Sequence, residues 1–253
     1  MELYIYAIAI LGGAVAGAIN TLAGSGSAIT LTILTELMGL PPNTANGTNR
    51  IGIVAQCWAG TWAFHKNGKL PLNTRSWRYI ILTVIGAIAG VVVAVYVSNE
   101  QFKSVFSFLM VLMLFVILVK PKRWLKESDP SKIESLWLAI PLYLALGFYG
   151  GFIQMGMGVF CLAVMVLVSN YSIIEANALK SFVVAIYTLV VIAIFQWKGL
   201  IDWKIGGIMA IGQTFGGWAT ATYASRYPKA DIWAYRLLVG VVIFAILKLF
   251  GVF

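Results

Sequence analysis

Apolar runs follow one another along almost the whole of this chain, with only short breaks between them. A run of about 18 or more apolar residues reads as a membrane span. Runs placed this closely leave little room for a water-soluble domain. Composition agrees: 60% of the 253 residues are hydrophobic, 11% are charged, and the mean hydropathy is +0.89. A soluble domain is about half apolar and about a quarter charged.

The 18 Lys and Arg against 9 Asp and Glu give a net charge of +9. In a soluble protein that balance would point to nucleic acid. Here the positive charges sit between the apolar runs, and membrane proteins collect Lys and Arg in cytoplasmic loops. The expected partners are therefore the lipid bilayer and a small solute, with no nucleic acid. Cys57 and Cys161 lie inside apolar runs and read as small buried hydrophobes, with neither a disulfide nor a metal site implied. Met1-Glu2-Leu3-Tyr4 has no basic n-region, so the first run is expected to be a resident span and not a cleaved signal peptide.

Ten helical segments are expected, at 3–23, 26–39, 46–65, 78–98, 102–119, 136–154, 157–169, 176–197, 204–224 and 232–251. The second five resemble the first. Ala45-Asn46, Phe64 and Gly68 correspond to Ala176-Asn177, Phe195 and Gly199 at one offset of 131. Gly17-Ala18-Ile19-Asn20 parallels Gly151-Phe152-Ile153-Gln154, and Gly24-Ser25-Gly26 parallels Gly156-Met157-Gly158. Ile85-Gly86 with Gly90 parallels Ile211-Gly212 with Gly216; these small-xxx-small pairs imply close helix packing. The expected fold is an all-α integral membrane protein with about 8–10 transmembrane helices in two homologous halves. The halves are residues 1–119 and 136–253, joined by a basic cytoplasmic linker at 120–135.

Five spans per half would give the halves opposite orientations, as inverted repeats. The charges fit that arrangement. With Lys66, Lys69, Arg75 and Arg78 inside, the linker's Lys120, Lys122, Arg123, Lys126 and Lys132 also fall inside, as do Arg226 and Lys229. The outside loops keep only Lys103, Lys198 and Lys204. A version with four crossings per half, in which the first two segments form one broken helix, fits the charges almost as well.

Segments 26–39 and 157–169 are short. At about 1.5 Å per residue neither comfortably crosses a core of about 30 Å. Both follow a Gly-x-Gly break at matching places in the two halves. Interrupted helices so placed are the best sequence pointer to a transporter's binding site. Polar residues gather there: Asn20, Thr21, Ser25, Asn46, Thr48, Asn49 and Arg50 in the first half, and Gln154, Asn177, Lys180 and Ser181 in the second. Most lie at or near an expected helix N-terminus, where free N–H groups and the dipole favour an anion. The offset brings Asn49-Arg50 onto Lys180-Ser181, so each half carries one cation within one residue of the same spot. Charges inside a membrane segment are expensive and mark function by default. Snorkelling to the interface is the competing explanation. Glu175 either pairs with Lys180 or starts its helix. Gln56, Gln196 and Gln213 either line the path or bond between helices, with the second reading preferred; Glu36 reads as a helix-end residue, and His65 as a surface residue.

The glycine-rich break, the short helix, and Leu40-Pro41-Pro42-Asn43-Thr44-Ala45-Asn46-Gly47-Thr48-Asn49 resemble the TauE/SafE family of sulfite exporters, also called TSUP. Glu175-Ala176-Asn177-Ala178-Leu179-Lys180-Ser181 is a degenerate second copy. The family often has a longer glycine run with a proline a few residues on; here the stretch is Gly24-Ser25-Gly26-Ser27-Ala28-Ile29-Thr30, without proline. The resemblance implies a secondary transporter in the bacterial cytoplasmic membrane for sulfite, sulfoacetate and other small sulfur-containing or organic anions. No cofactor is expected, and there is no phosphate-binding Gly-x-x-x-x-Gly-Lys-Ser/Thr loop. Two other readings compete. One is an intramembrane serine enzyme using Ser25 or Ser27 with His65, which would need the base within hydrogen-bond reach. The other is a passive anion channel. The coupling ion, the direction of transport and a homo-oligomeric state stay open.

Overall fold

The computed structural model describes residues 3–96 and 136–240, apart from 228, 231 and 238. The expected segment 102–119, the linker 120–135 and most of the expected segment 232–251 lie outside the described residues. Among the described residues the regular structure is all helical, with no strand. The first half runs α1 (Leu3–Leu22), α2 (Ser27–Thr32), α3 (Pro42–Lys66) and α4 (Thr74–Ala94). The second runs α5 (Leu136–Phe152), α6 (Met157–Ala163), α7 (Ile173–Trp197) and α8 (Trp203–Arg226). α2 and α6 each pass directly into a π-helical turn, Ile33–Leu37 and Val164–Val168.

Local chemistry sets the starts. α3 begins with Pro42, whose fixed φ suits a first helical position. The helix therefore starts four residues before the position read from the sequence, at 46. Asn73 and Asp202 cap α4 and α8 by accepting from Ser76 N and Ile205 N. α7 opens with a capping box, in which Ser172 accepts from Glu175 N while Glu175 Oε2 accepts from Ser172 N. Glu175 is thus a helix-starting acid and has no bond to Lys180.

Tyr4, Ile8, Leu11 and Val15 on α1 are exposed at helical spacing. So are Ile81, Ile85, Ile88 and Val92 on α4, and Ile211, Phe215 and Trp218 on α8. Such stripes belong against lipid and not water. Trp137, Trp197 and Trp203 stand exposed at helix ends, where interfacial aromatics collect. α1, α4 and α7 are each long and apolar enough to cross a membrane. Of these three, α7 is the most buried, packed against α3 and α4.

α1 crosses α8, and α5 crosses α4, at glycines. A Cβ on Gly86 or Gly90 would lie 2.1 Å from Leu144 O or 2.0 Å from Phe148 O, both on α5. On Gly212 or Gly216 it would lie 1.9 Å from Ile10 O or 2.0 Å from Ala14 O, both on α1. The two matched glycine pairs therefore make the same kind of backbone contact, each with the first helix of a half.

Candidate functional site

The two breaks meet in the middle of the bundle. α1 stops at Leu22 and α2 starts at Ser27; α5 stops at Phe152 and α6 starts at Met157. The chain turns through left-handed backbone at Gly24 (φ +78°) in the first break, and at Gln154 (φ +63°) and Gly156 (φ +76°) in the second. The sequence pattern pairs Gln154 with Asn20. The backbone pairs it with Gly24 instead, each lying two residues past its helix end. The breaks touch backbone to backbone: a Cβ on Gly24 would sit 2.3 Å from Gly158 C. Only glycine on both sides permits that approach.

Arg50 and Lys180 are 0% and 3% exposed, so neither snorkels. Arg50 Nη1 donates to Gly150 O (2.8 Å), and Nη2 donates to Gly151 O (3.2 Å) and Asn46 Oδ1 (3.3 Å). Its guanidinium also lies 5.7 Å from the centre of the Phe195 ring. Lys180 Nζ donates to Asn20 O (2.9 Å), Thr21 O (3.0 Å) and Asn177 Oδ1 (2.6 Å). Each cation thus binds an Asn one turn back on its own helix, and two consecutive carbonyls in the last turn of the other half's first helix. Those carbonyls have the fewest helical partners and carry the negative end of the dipole. Among the described residues no carboxylate pairs with either cation.

Beside Lys180 a small cavity opens where the breaks cross. Its walls include Asn20 from α1, Ser27 from α2, Gln56 and Cys57 from α3, and Gln154, Met157 and Gly158 from the second break and α6; α7 adds Lys180, Ser181, Val184 and Tyr187. The space is about 20 Å³, enough for one water-sized body. Asn20 Nδ2 donates to Gln56 Oε1 and Gln56 Nε2 to Thr21 Oγ1, both at 3.4 Å, so these bonds are long. Ser181 Oγ donates to Asn177 O (2.9 Å). Gln154 is 5% exposed, and neither its Nε2 nor its Oε1 has a hydrogen-bond partner in the protein.

Of the eleven candidate residues, Asn20, Gln154, Lys180 and Ser181 line this space. The other seven stand behind it. Thr21 and Asn177 support Lys180, and Asn46 supports Arg50. Thr48 Oγ1 accepts from Asp202 N, and Asn49 Oδ1 accepts from Gln213 Nε2, tying α3 to α8 and the turn before it. Ser25 Oγ is buried without a partner. Because α3 starts at Pro42 and α7 at Ile173, Asn46, Thr48, Asn49, Arg50, Asn177, Lys180 and Ser181 sit inside their helices and not at free N-termini. Only Ser25, Ser27 and Gln154 keep that position, before or at the start of α2 and α6.

Sequence reasoning missed Tyr187 and Cys57 as wall residues; Gln56, read as a path-lining residue or an inter-helix bond, is both. Spacing held the signal. Lys180, Val184 and Tyr187 follow the i, i+4, i+7 pattern of one helix face, and Cys57 lies seven residues after Arg50. Gln196 accepts from Trp203 Nε1 near the surface, and Glu36 is exposed. His65 is exposed nine residues beyond Gln56, about 13 Å along α3. That is too far for it to act as a base at the breaks.

A bundle of lipid-facing helices, broken at two matched places around a buried cation and a small polar cavity, is the architecture of a membrane transporter and not of an enzyme. The family model described as Sulfite exporter TauE/SafE matches residues 9–249, and the chain belongs to that family. It is also similar to a probable membrane transporter protein, ORF9, of Sinorhizobium sp., at 24% identity over 91% of this chain and 85% of the relative. A second probable membrane transporter protein, from Haemophilus influenzae, is 28% identical over 81% of this chain and 79% of the relative.

Proposed function

We propose that the protein is a secondary transporter of small sulfur-containing anions, such as sulfite, sulfoacetate or another organosulfonate, working by alternating access in a bacterial inner membrane. The observation that carries this is Lys180: a buried ammonium at the wall of a central cavity, with no carboxylate partner among the described residues. A lone buried cation is costly, and a bound anion would supply the missing charge. Asn20, Gln56, Gln154 and Ser181 would provide the polar contacts. The family name supports the substrate class. The tight cavity supports a site that opens to one side at a time over a continuous pore. The matched element order and glycine crossings support two halves related as inverted repeats, which would move against one another around the breaks.

Ligand-dependent thermal stabilisation of the purified protein tests this. A compound that binds the folded state raises its apparent stability by mass action. Sulfite, thiosulfate or sulfoacetate should raise the melting temperature, and Lys180→Ala should remove the effect. Stabilisation by neutral or cationic compounds alone would overturn the proposal.

A further inference from the structure

We infer that the Tyr187 hydroxyl is a direct contact of the transported anion, donating its proton to a substrate oxygen beside the charge of Lys180. This role rests on the anion-transport reading of the cavity and adds to it a residue outside the contacts named above. The other wall donors are wholly or partly committed. Lys180 gives its three N–H groups to Asn20 O, Thr21 O and Asn177 Oδ1. Ser181 gives its one O–H to Asn177 O. Asn20 and Gln56 are joined to each other and to Thr21 by long bonds, and each amide keeps a second N–H. Ser27 adds a hydroxyl at the start of α2. Two wall side chains carry fully buried polar atoms that bond to nothing in the protein: the Gln154 amide and the Tyr187 hydroxyl.

Tyr187 is 0% exposed, so its oxygen has lost its hydration and gained no bond in return. Phenylalanine would fill the same space without that penalty. Packing alone therefore selects against the oxygen, and a ligand supplies the missing partner. The place of the hydroxyl is equally defined. Tyr187 lies seven residues past Lys180 on the same face of α7. A Cβ on Gly150 would sit 2.8 Å from Tyr187 Oη and 3.1 Å from Cγ of Met157, another wall residue. Glycine at 150 leaves room for the oxygen at the end of α5, beside the second break. Gly150 O is also the carbonyl that accepts from Arg50 Nη1, and Arg50 acts on the phenol electrostatically. Thr188 acts on it least, and Thr188 Oγ1 likewise has no hydrogen-bond partner. A phenolic proton rotates to suit its surroundings. The field of Arg50 holds the oxygen end and leaves the proton for an anion.

Calorimetric titration of the purified full-length protein with sulfite and with sulfoacetate, beside a melting curve of the ligand-free protein, tests the inference. Tyr187→Phe removes only the oxygen. It should weaken binding of the anion about tenfold, the effect of one hydrogen bond to a charged group. It should also raise the ligand-free melting temperature by a few degrees, because an unpartnered buried polar group is gone. A contact made only with the ligand gives these opposite signs; a hydroxyl held by the fold does not. Thr61→Val is the control. Thr61 Oγ1 on α3 is also buried without a partner, but Thr61 is not a wall residue. This variant should share the gain in stability and keep its affinity within about twofold. If Tyr187→Phe does not fold, Tyr187→Met fills the space flexibly without a hydroxyl, and its affinity is read in the same way. Unchanged affinity in the Tyr187 variant would overturn the inference and leave anion transport standing. So would a lower ligand-free melting temperature in Tyr187→Phe, or an equal loss of affinity in Thr61→Val. Binding of neither sulfite nor sulfoacetate by the unaltered protein would overturn both.

Discussion

At the first break the chain turns through Gly24, and at the equivalent place in the second it turns through Gln154. The path is the same; the residue is not. Glycine takes left-handed backbone freely, whereas a non-glycine residue held there costs about 1–3 kcal/mol. The second break keeps that strain and also a buried amide without a partner. The first has neither a side chain at this position nor a wall residue made from it. The cations differ in parallel. Arg50 and Lys180 cap the opposite half's first helix in the same way, yet only Lys180 borders the cavity. Both sides of the crossing contribute walls to the cavity, but only the second places its cation and its left-handed side chain there.

The sharpest way to break this comparison is to remove the charge on one side and keep it on the other. Lys180→Ala should cut transport in proteoliposomes by about a hundredfold or more, because the charge facing the substrate is gone. Arg50→Lys keeps a charge but loses the two-carbonyl fork, and should weaken stability more than transport. Comparable transport losses in both would mean that Arg50 also faces the substrate.

The next effect falls on the crossing itself. Gly24→Ala would drive a Cβ to 2.3 Å from Gly158 C at a positive φ. It should destabilise the protein by about 3 kcal/mol or more, read as a fall in melting temperature or loss of folded material. Gln154→Gly should act oppositely on stability. It relieves the left-handed strain and removes the orphan amide, and the greater freedom of glycine in the unfolded chain offsets part of that gain. The expected net change is about 1 kcal/mol more stable with transport impaired. A destabilised Gln154→Gly protein would show that the amide is held by the fold and not by a ligand. The smallest effect is at His65: exposed and far from the crossing, its replacement by Ala should leave transport within about twofold of the original.

The order of elements, the two short helices, the glycine crossings and the burial of two cations were legible in the sequence. They are written in hydrophobicity, in glycine spacing and in the offset between halves. What Arg50 and Lys180 bind was not legible, because their acceptors are main-chain carbonyls of residues 150, 151, 20 and 21. A carbonyl has no residue type to mark it. The sequence reading starts α3 at 46, whereas Pro42, with its fixed φ, opens the helix four residues earlier. Gln154 was recognised as polar but was matched to the wrong partner. The second half has fewer residues than the first between the glycine crossing and the break, so a pattern aligned on the glycines slips at the turn.

The two caps also impose an order in time. Arg50 and its acceptor Gly150 are 100 residues apart. At about 5–20 residues per second of synthesis, the guanidinium exists for on the order of ten seconds before its carbonyls are made. During that interval the guanidinium has Asn46 but not its two carbonyls, and holding α3 in lipid costs more than it does in the finished fold. Each half's buried cation is thus satisfied only by main chain from the other half, so neither half completes its polar interior alone.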